Sequence, residues 1–130
     1  MSELQVEILA PAKVITKINA SQLQLPGIEG ELGILPGHTT FVSELGTGEM
    51  TVMGSSNESF FVAGGYIEVS NDKIKVLVDV CERASNIDKD RAEKAKKRAL
   101  DRLSAKVDVD LIRAQASFLR AETRLSLIGR

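Results

Sequence analysis

The first two thirds of the chain alternate apolar and polar residues over short stretches, as half-buried β-strands do. Residues 3–8 alternate strictly, and residues 22–25 alternate again before the turn dipeptide Pro26-Gly27. In residues 73–80, Ile74 and three valines fall on one face and the charged side chains on the other. Because such stretches recur about every 8–12 residues without helical patterns between them, the sequence predicts an antiparallel β-sandwich or barrel.

Turn residues separate these strands. The polar segment 54–59 (GSSNES) and the dipeptide Asn71-Asp72 predict hairpin turns. Gly64-Gly65 interrupts an apolar stretch and predicts either a bulge or a close approach of another backbone.

The pattern becomes helical after Val80. Ser85, with Asp88 three residues later, predicts a capping box at the start of a first helix over residues 88–105. After a break at residues 106–109, Asp108 or Asp110 can cap a second helix. Each helix carries an apolar stripe at helical spacing, so we predict an antiparallel two-helix hairpin. The stripes consist of Ala92, Ala95, Ala99 and Leu103 on the first helix and Leu111, Ala114, Phe118, Ala121, Leu125 and Ile128 on the second.

The two helices differ in the apolar area they offer. Alanine dominates the first stripe, and since each buried CH₂ contributes only about 0.8 kcal/mol, we expect this helix to be held loosely. The second helix also carries a second apolar row, here called the outer row, formed by Ile112, Ala116 and Leu119. Two helices alone cannot cover both rows. Either the β domain covers one of them, or the helix has more than one docking partner.

The net charge of −1 combines two opposite parts. Residues 1–87 contain 5 basic and 11 acidic residues, a charge of −6, whereas residues 88–130 contain 12 and 7, a charge of +5. The change of charge coincides with the change of periodicity. We therefore predict a β domain over residues 1–85 and a helical domain over residues 86–130.

Composition and motifs argue against an enzyme. The chain has one histidine, His38, and one cysteine, Cys81, and neither has triad or metal-ligand spacing around it. No phosphate-binding GxxxxGK[ST] motif occurs. We expect no catalytic residue, no metal and no resident cofactor. The lone cysteine, the lack of an apolar run of about 20 residues and the lack of a signal-peptide pattern predict a cytosolic protein that reaches a membrane only through a partner.

The basic residues on the helices leave two interpretations open. The seven Lys and Arg of the first helix would suit nucleic acid, but acidic residues are interleaved with them and the helix has no aromatic residue for base stacking. On the second helix Arg113, Arg120 and Arg124 form a basic ridge that suits an acidic protein groove or an anionic ligand. A stand-alone β-sandwich binding module with a nucleic-acid-binding hairpin is the alternative function.

Several segments in order carry a resemblance to a known family. Residues 30–38 (GELGILPGH, here called the signature segment), 61–69 (FVAGGYIEV) and 82–84 (ERA), followed by the two helices, closely resemble the epsilon subunit of F-type ATP synthases, called delta in mitochondria. The resemblance implies a ten-stranded β-sandwich that attaches to the gamma subunit and to the ring of c subunits, with Glu31 and His38 in the contact region. It also implies a hairpin that either folds against the sandwich or extends along gamma toward the alpha and beta subunits and inhibits ATP hydrolysis. The basic ridge would then contact beta.

The resemblance extends to a regulatory nucleotide. Some bacterial members bind ATP through an I/L-D-x-x-R-A-x-x-A pattern, which residues 87–95 satisfy in full. The positions that match that site are Glu82, Ile87, Asp88, Arg91, Ala92, Arg98, Arg120 and Arg124. Carboxylates can accept hydrogen bonds from the adenine amino group, and guanidiniums can bind phosphates in bidentate fashion. The competing interpretation is that Asp88 only caps its helix and the arginines are solvated.

The resemblance therefore implies a non-catalytic rotor subunit that couples ATP synthesis to proton transport. We expect it to be peripheral, on the cytoplasmic face of the bacterial inner membrane. Bound ATP would act as a regulator of the folded hairpin, because a ligand shifts an equilibrium only by binding one state better.

Overall fold

The structure is a computed structural model, which describes residues 3–11, 13–37, 40–55, 57–104 and 111–128. The described residues form eight strands, a 3-10 turn and two α-helices. In chain order these are β1 (Leu4–Ala10), β2 (Lys13–Ala20), β3 (Gln22–Gly27), β4 (Gly30–Ile34), β5 (Phe41–Glu44), β6 (Thr47–Met53), β7 (Glu58–Ser70), β8 (Lys73–Arg83), the 3-10 turn (Ala84–Asn86), α1 (Lys89–Ser104) and α2 (Leu111–Ile128). The chain divides into two compact units, a sandwich unit Met1–Arg83 and a helical unit Ala84–Arg130.

The strands form a sandwich of two layers. Their order is β2-β1-β8-β7-β6-β3-β4, and β5 pairs with β7. One layer contains β2, β1, the first half of β8, the second half of β7 and β5; the other contains the remaining halves of β8 and β7 with β6, β3 and β4. The predicted sandwich is therefore confirmed. Its pairs are antiparallel apart from β1 and β8, which run parallel.

The number of strands differs from the expected ten. In the part of the chain that the structure describes there are eight, because β7 and β8 each run unbroken through both layers. The first part of β7 pairs with β6 and its second part with β5. Counting each half of β7 and β8 as a separate segment gives five segments in each layer, ten in total. The count of eight is lower only because β7 and β8 are each continuous from one layer to the other.

Two glycines allow β7 to cross between the layers. Gly64 and Gly65 have φ angles of 74° and 122°, and a Cβ on Gly65 would lie 2.0 Å from the carbonyl oxygen of Leu77. The connection between β5 and β6 crosses at the same place: Leu45 N donates to Gly65 O at 2.8 Å, and Gly64 N donates to Gly46 O at 3.2 Å. The predicted close approach is confirmed. The bulge is wrong, because β7 and β8 keep one register throughout.

The core between the layers is built from alternate strand positions, as the period of two predicted. Its members are Leu4, Val6, Ile8, Ala20, Leu23, Leu25, Ile34, Leu45, Met50, Val52, Phe60, Val62, Ile67, Val69, Ile74, Val76 and Val78. Among the described residues no polar or charged side chain is buried. The sandwich is therefore stabilised by apolar contact, without a buried polar network.

Asp88 caps the first helix. Its Oδ1 accepts a hydrogen bond from Arg91 N at 3.1 Å, which satisfies one of the N–H groups that a helix leaves unpaired in its first turn. Ser85 lies within the 3-10 turn and α1 begins at Lys89, so the predicted capping box is wrong. The predicted caps of α2, Asp108 and Asp110, lie outside the described residues.

The two helices pack as the predicted antiparallel hairpin, largely through alanine. Ala92 and Ala99 of α1 and Ala114 and Ala121 of α2 are at most 3% exposed. The half-buried members of the stripes are Ala95, Leu103, Phe118, Leu125 and Ile128, and the side chain of Leu111 lies outside the described residues. The outer row is left open, with Ile112 80% and Leu119 50% exposed.

Candidate docking surfaces and regulatory site

The signature segment supplies the strand at one end of the sheet. β3 and β4 form a hairpin in which Gly27 pairs with Gly30 across the turn residues Ile28 and Glu29. In the described part of the chain, β4 has no neighbour on its other side. A Cβ placed on Gly33 would meet no atom within 4 Å, and Glu31 is exposed on the same strand. This edge is therefore open to a partner.

An acidic groove lies beside the β3–β4 turn. It has a volume of about 450 Å³ and is lined by residues 27–32 and 42–44. Glu29, Glu31 and Glu44 give it negative charge, while Ile28 and Val42 on its walls are 59% and 66% exposed. Such a surface, both apolar and acidic, suits a protein partner that brings a basic side chain.

The signature segment ends in a turn that is tied to another hairpin. Gly37, with φ of 85°, donates its backbone N–H to Asp72 Oδ1 at 2.7 Å. Leu35 in the same turn is 55% exposed. His38, the second predicted contact residue, lies outside the described residues.

A row of apolar side chains crosses the outer face of the first layer. In the strand register Val14 lies opposite Leu9, Leu9 opposite Leu77, and Leu77 opposite Tyr66. Val14 and Tyr66 are each 53% exposed and Leu77 is 38% exposed. Side chains at opposed positions of neighbouring strands touch one another, so these four residues, here called the apolar row, form one continuous patch. Exposed patches of this kind mark interaction sites.

The apolar row leaves only a partial signal in the sequence. The outer face of β8 reads Lys73, Lys75, Leu77, and the outer face of β7 carries Tyr66 next to Glu68. An apolar residue on an otherwise charged face is visible in the periodicity. Which strands lie side by side is not, and the row was therefore absent from the predicted contact residues.

The predicted ATP-binding residues are divided between the two units. Glu82 belongs to the sandwich unit, and the remaining seven belong to the helical unit. Asp88 acts as the helix cap described above, as the first half of the competing interpretation predicted. Ala92 is buried in the helical unit, whereas Arg91 and Arg98 are exposed on α1.

Two of the three arginines of the basic ridge on α2 are less exposed than side chains on a fully solvated helix face. Arg120 and Arg124 are half-buried, and Arg113 is exposed. Arg120 donates from Nη2 to Ser117 Oγ at 3.2 Å. The guanidinium of Arg120 is thus held along its own helix, where it keeps further N–H donors for a carboxylate or a phosphate.

The chemistry at Cys81 is that of an inert thiol. Burial raises the pKa of the Cys81 thiol to about 11; the nearby Arg83 lowers it and Glu82 raises it further. Because the thiolate is the nucleophile, a thiol with so high a pKa is unreactive at neutral pH. In the described ranges, no group of three or more His, Cys, Asp or Glu side chains could hold a metal ion.

Family models match both units. The beta-sandwich domain of the ATP synthase delta/epsilon chain matches residues 3–84, and the long alpha-helix domain of the same chain matches residues 85–129. The chain belongs to the ATP synthase delta/epsilon chain family. The ATP synthase epsilon chain of Nitratidesulfovibrio vulgaris (strain DP4) is 42% identical over 97% of this chain and 96% of the relative. That of Solibacter usitatus is 38% identical over 95% and 93%.

Solved structures share the fold. A chain of the Euglena gracilis mitochondrial ATP synthase, in an assembly of OSCP, F1 and c-ring, aligns with a TM-score of 0.84 at 18% identity, over 93% of this chain and 78% of that one. A chain of the central stalk and c-ring of the Tetrahymena thermophila mitochondrial enzyme aligns with a TM-score of 0.56 at 14% identity, over 98% and 95%.

Membership of this family confirms the resemblance seen in the sequence. As a member of this family, the protein is a non-catalytic accessory subunit of ATP synthase. Neither α1 nor α2 is long and apolar enough to cross a membrane.

Proposed function

We propose that this chain is the epsilon subunit of a bacterial F-type ATP synthase, turning with the rotor and regulating ATP hydrolysis. The observation that carries the proposal is the match to bacterial epsilon chains along nearly the whole chain, 42% identical over 97% of its length. Both units are covered, so the proposal concerns the sandwich and the hairpin alike. It favours a rotor subunit over a stand-alone nucleic-acid-binding module.

The sandwich, residues 1–85, is the docking domain. The open edge of β4 and the acidic groove, with Glu31 at their junction, suit the ring of c subunits. The apolar row suits the gamma subunit, because Tyr66 and Val14 expose half of their side chains to water and gain by burial against a partner. His38 directly follows the turn at residues 35–37, here called the signature turn, and we assign it to the contact region of the sandwich together with Glu31.

The helical domain, residues 86–130, is the regulatory element. Its helices meet through alanines, which hold each other weakly, and the outer row stays uncovered. A helix with an open apolar row and the basic ridge of Arg113, Arg120 and Arg124 can leave its neighbour and bind the alpha and beta subunits instead. In that position it would inhibit ATP hydrolysis, and the chain as a whole would couple ATP synthesis to proton transport at the cytoplasmic face of the inner membrane.

ATP would stabilise the folded hairpin. Residues 87–95 carry the complete I/L-D-x-x-R-A-x-x-A pattern, and Ala92, one of its small residues, is 3% exposed. Glu82, Asp88 and the arginines at 91, 98, 120 and 124 supply the acceptors and donors that adenine and phosphates need. A nucleotide held by this set would favour the folded state to the extent that it binds that state better.

The docking role can be tested with the gamma subunit of the same bacterium. Tyr66→Lys places a charge in the apolar row, and Ser55→Lys places the same charge at an exposed turn between β6 and β7. Because charges are poorly tolerated at the centre of an interface, we expect Tyr66→Lys to weaken gamma binding about tenfold or more. Ser55→Lys should bind like the wild type. Failure of the wild-type chain to bind gamma, or an equal loss in both variants, would contradict the proposal.

A further inference from the structure

One side chain ties the end of the signature segment to a distant part of the sandwich. Asp72 Oδ1 accepts from Gly37 N at 2.7 Å, across 35 residues of sequence. The backbone oxygen of Asp72 accepts from Gln5 N at 2.8 Å. A single residue thus joins the start of β1, the β7–β8 turn and the signature turn.

The conformation of the β7–β8 turn shows that the Asp72 side chain is not required by the turn itself. Asn71 and Asp72 have φ of 51° and 62°, and Ser70 pairs with Lys73 around them. These are the angles of a tight two-residue hairpin turn, whose second position is best suited to glycine. An aspartate there carries conformational strain that glycine would avoid. The compensating contribution of its side chain is the hydrogen bond to Gly37, in which the acceptor is a carboxylate.

The tied turn directly precedes His38 in the sequence, which the proposed function assigns to the contact region of the sandwich. Leu35 is 55% exposed, and the chain continues from this turn into β5. There Val42 is 66% exposed, and Glu44 pairs with Tyr66 at the end of the apolar row. Residues 35–37 lie between the edge strand β4 and β5. Their orientation therefore sets how Leu35 is presented to a partner.

We propose that Asp72 is a positioning residue, which holds the signature turn at residues 35–37 in the orientation that the gamma subunit binds. The inference rests on the proposed function for the identity of the partner. The tie between Asp72 and Gly37 stands independently of it. Asp72 acts through Gly37 and need not touch gamma.

Two glycine substitutions in the same turn separate positioning from turn strain. Asp72→Gly and Asn71→Gly each relieve one positive φ angle, but only Asp72→Gly removes the acceptor of Gly37 N. A third variant, Asp72→Asn, keeps a side-chain oxygen at the same place. Each full-length variant is examined for hydrogen exchange at the Gly37 amide, for affinity to the purified gamma subunit and for its free energy of unfolding.

We expect Asp72→Gly to speed exchange at Gly37 about tenfold, the effect of losing one charge-assisted hydrogen bond. Its affinity for gamma should fall by about the same factor, since the free turn must be ordered again on binding. Asn71→Gly should change neither quantity, and Asp72→Asn should recover most of both. Asp72→Gly also loses the hydrogen bond to Gly37, so the free energy of unfolding is used to verify that every variant is fully folded under the conditions of the gamma-binding assay.

Three results would overturn the inference in distinguishable ways. Unchanged exchange at Gly37 in Asp72→Gly would show that the tie does not hold the turn. Faster exchange with the gamma affinity of Asn71→Gly would show that the turn is held but plays no part in docking. A wild-type chain that does not bind gamma would overturn the proposed function, and the docking role of Asp72 with it, while the exchange result would still decide whether Asp72 holds the turn.

Discussion

The sandwich unit and the helical unit bury different kinds of side chain. The sandwich core contains phenylalanine, leucine, isoleucine and methionine that are fully buried, among them Phe60, Leu23 and Met50 at 0% exposed. Four of the five buried residues of the helices are alanines, with Leu127 the exception within the described residues. A fully buried leucine contributes about 1.5–3 kcal/mol relative to an exposed one, and an alanine far less. The sandwich core therefore contributes more burial free energy per buried side chain than the alanine contact between the two helices.

The polar contacts of the two units also differ in how deeply the aromatic ring beside each cation is buried. At the end of β8, Arg83 forms an ion pair with Glu58 and lies over the ring of Phe60, 5.2 Å from its centroid. That ring is fully buried, so the guanidinium of Arg83 covers the edge of the sandwich core. In the helical unit Lys96 lies 5.7 Å from the centroid of Phe118 and 4.0 Å from Glu122 Oε1. Both of its partners are partly exposed, so this contact adds little to an already weak interface.

The largest effect should come from the sandwich core. Leu23→Ala should lower the free energy of unfolding by about 3 kcal/mol, because the substitution leaves a cavity that rigid neighbours cannot fill. Leu103→Ala in α1, where the side chain is only half-buried, should cost less than half as much. Chemical denaturation followed by circular dichroism measures both. Equal losses would show that the two units are packed alike.

A medium effect should come from crowding the alanine contact. Ala121→Leu adds three carbons at a position that is 0% exposed, and overpacking of this kind costs about 1–3 kcal/mol. We expect faster amide exchange in α1 and α2 and unchanged exchange in the sandwich.

The control for that variant lies on the same helix. Ala116→Leu adds the same carbons at an exposed position and should change stability by less than about 0.5 kcal/mol. If Ala121→Leu leaves exchange in the helices unchanged, the contact is roomier than the burial of these alanines indicates.

The smallest effect should come from Lys96. Lys96→Met removes a cation–π contact and a long ion pair, and should weaken the helix pair by about 0.5 kcal/mol at low salt. Lys97→Met, at an exposed neighbouring position, serves as the matched control. The difference between the two variants should shrink in 1 M salt, where charges are screened within about 3 Å. A difference that does not depend on salt would show that the screened ion pair with Glu122 does not stabilise the helix pair.

Local patterns in the sequence were enough to predict the strands, the tight turn at Asn71-Asp72 and the hairpin. These features depend on spacing along the chain, and the period of two or of 3.6 residues records which face is buried. The cap of α1 was misassigned because Ser85 and Asp88 are both good capping residues, and their order does not reveal that a 3-10 turn precedes the helix.

The features that local patterns did not predict depend mostly on residues far apart in the chain. Gly37 and Asp72 meet across 35 positions, and the apolar row is assembled from four strands. Leu127 is a local exception: it lies beside the predicted stripe and is 3% exposed, since the α-helical repeat drifts relative to a strict heptad. The nucleotide site remains a prediction, because its residues are divided between the two units.

We propose that the sandwich docks as a rigid unit and that the helical hairpin is released from it to regulate the enzyme. The most direct test of this proposal is the rate of ATP hydrolysis by the assembled bacterial synthase. The rate is compared between complexes that carry the full-length chain and complexes whose chain ends at Asn86, with gamma retention checked in both. We predict that the shortened chain stays bound through its sandwich while hydrolysis rises. Equal hydrolysis rates with both chains would contradict the regulatory role of the helices, and loss of the shortened chain from the complex would contradict docking by the sandwich alone.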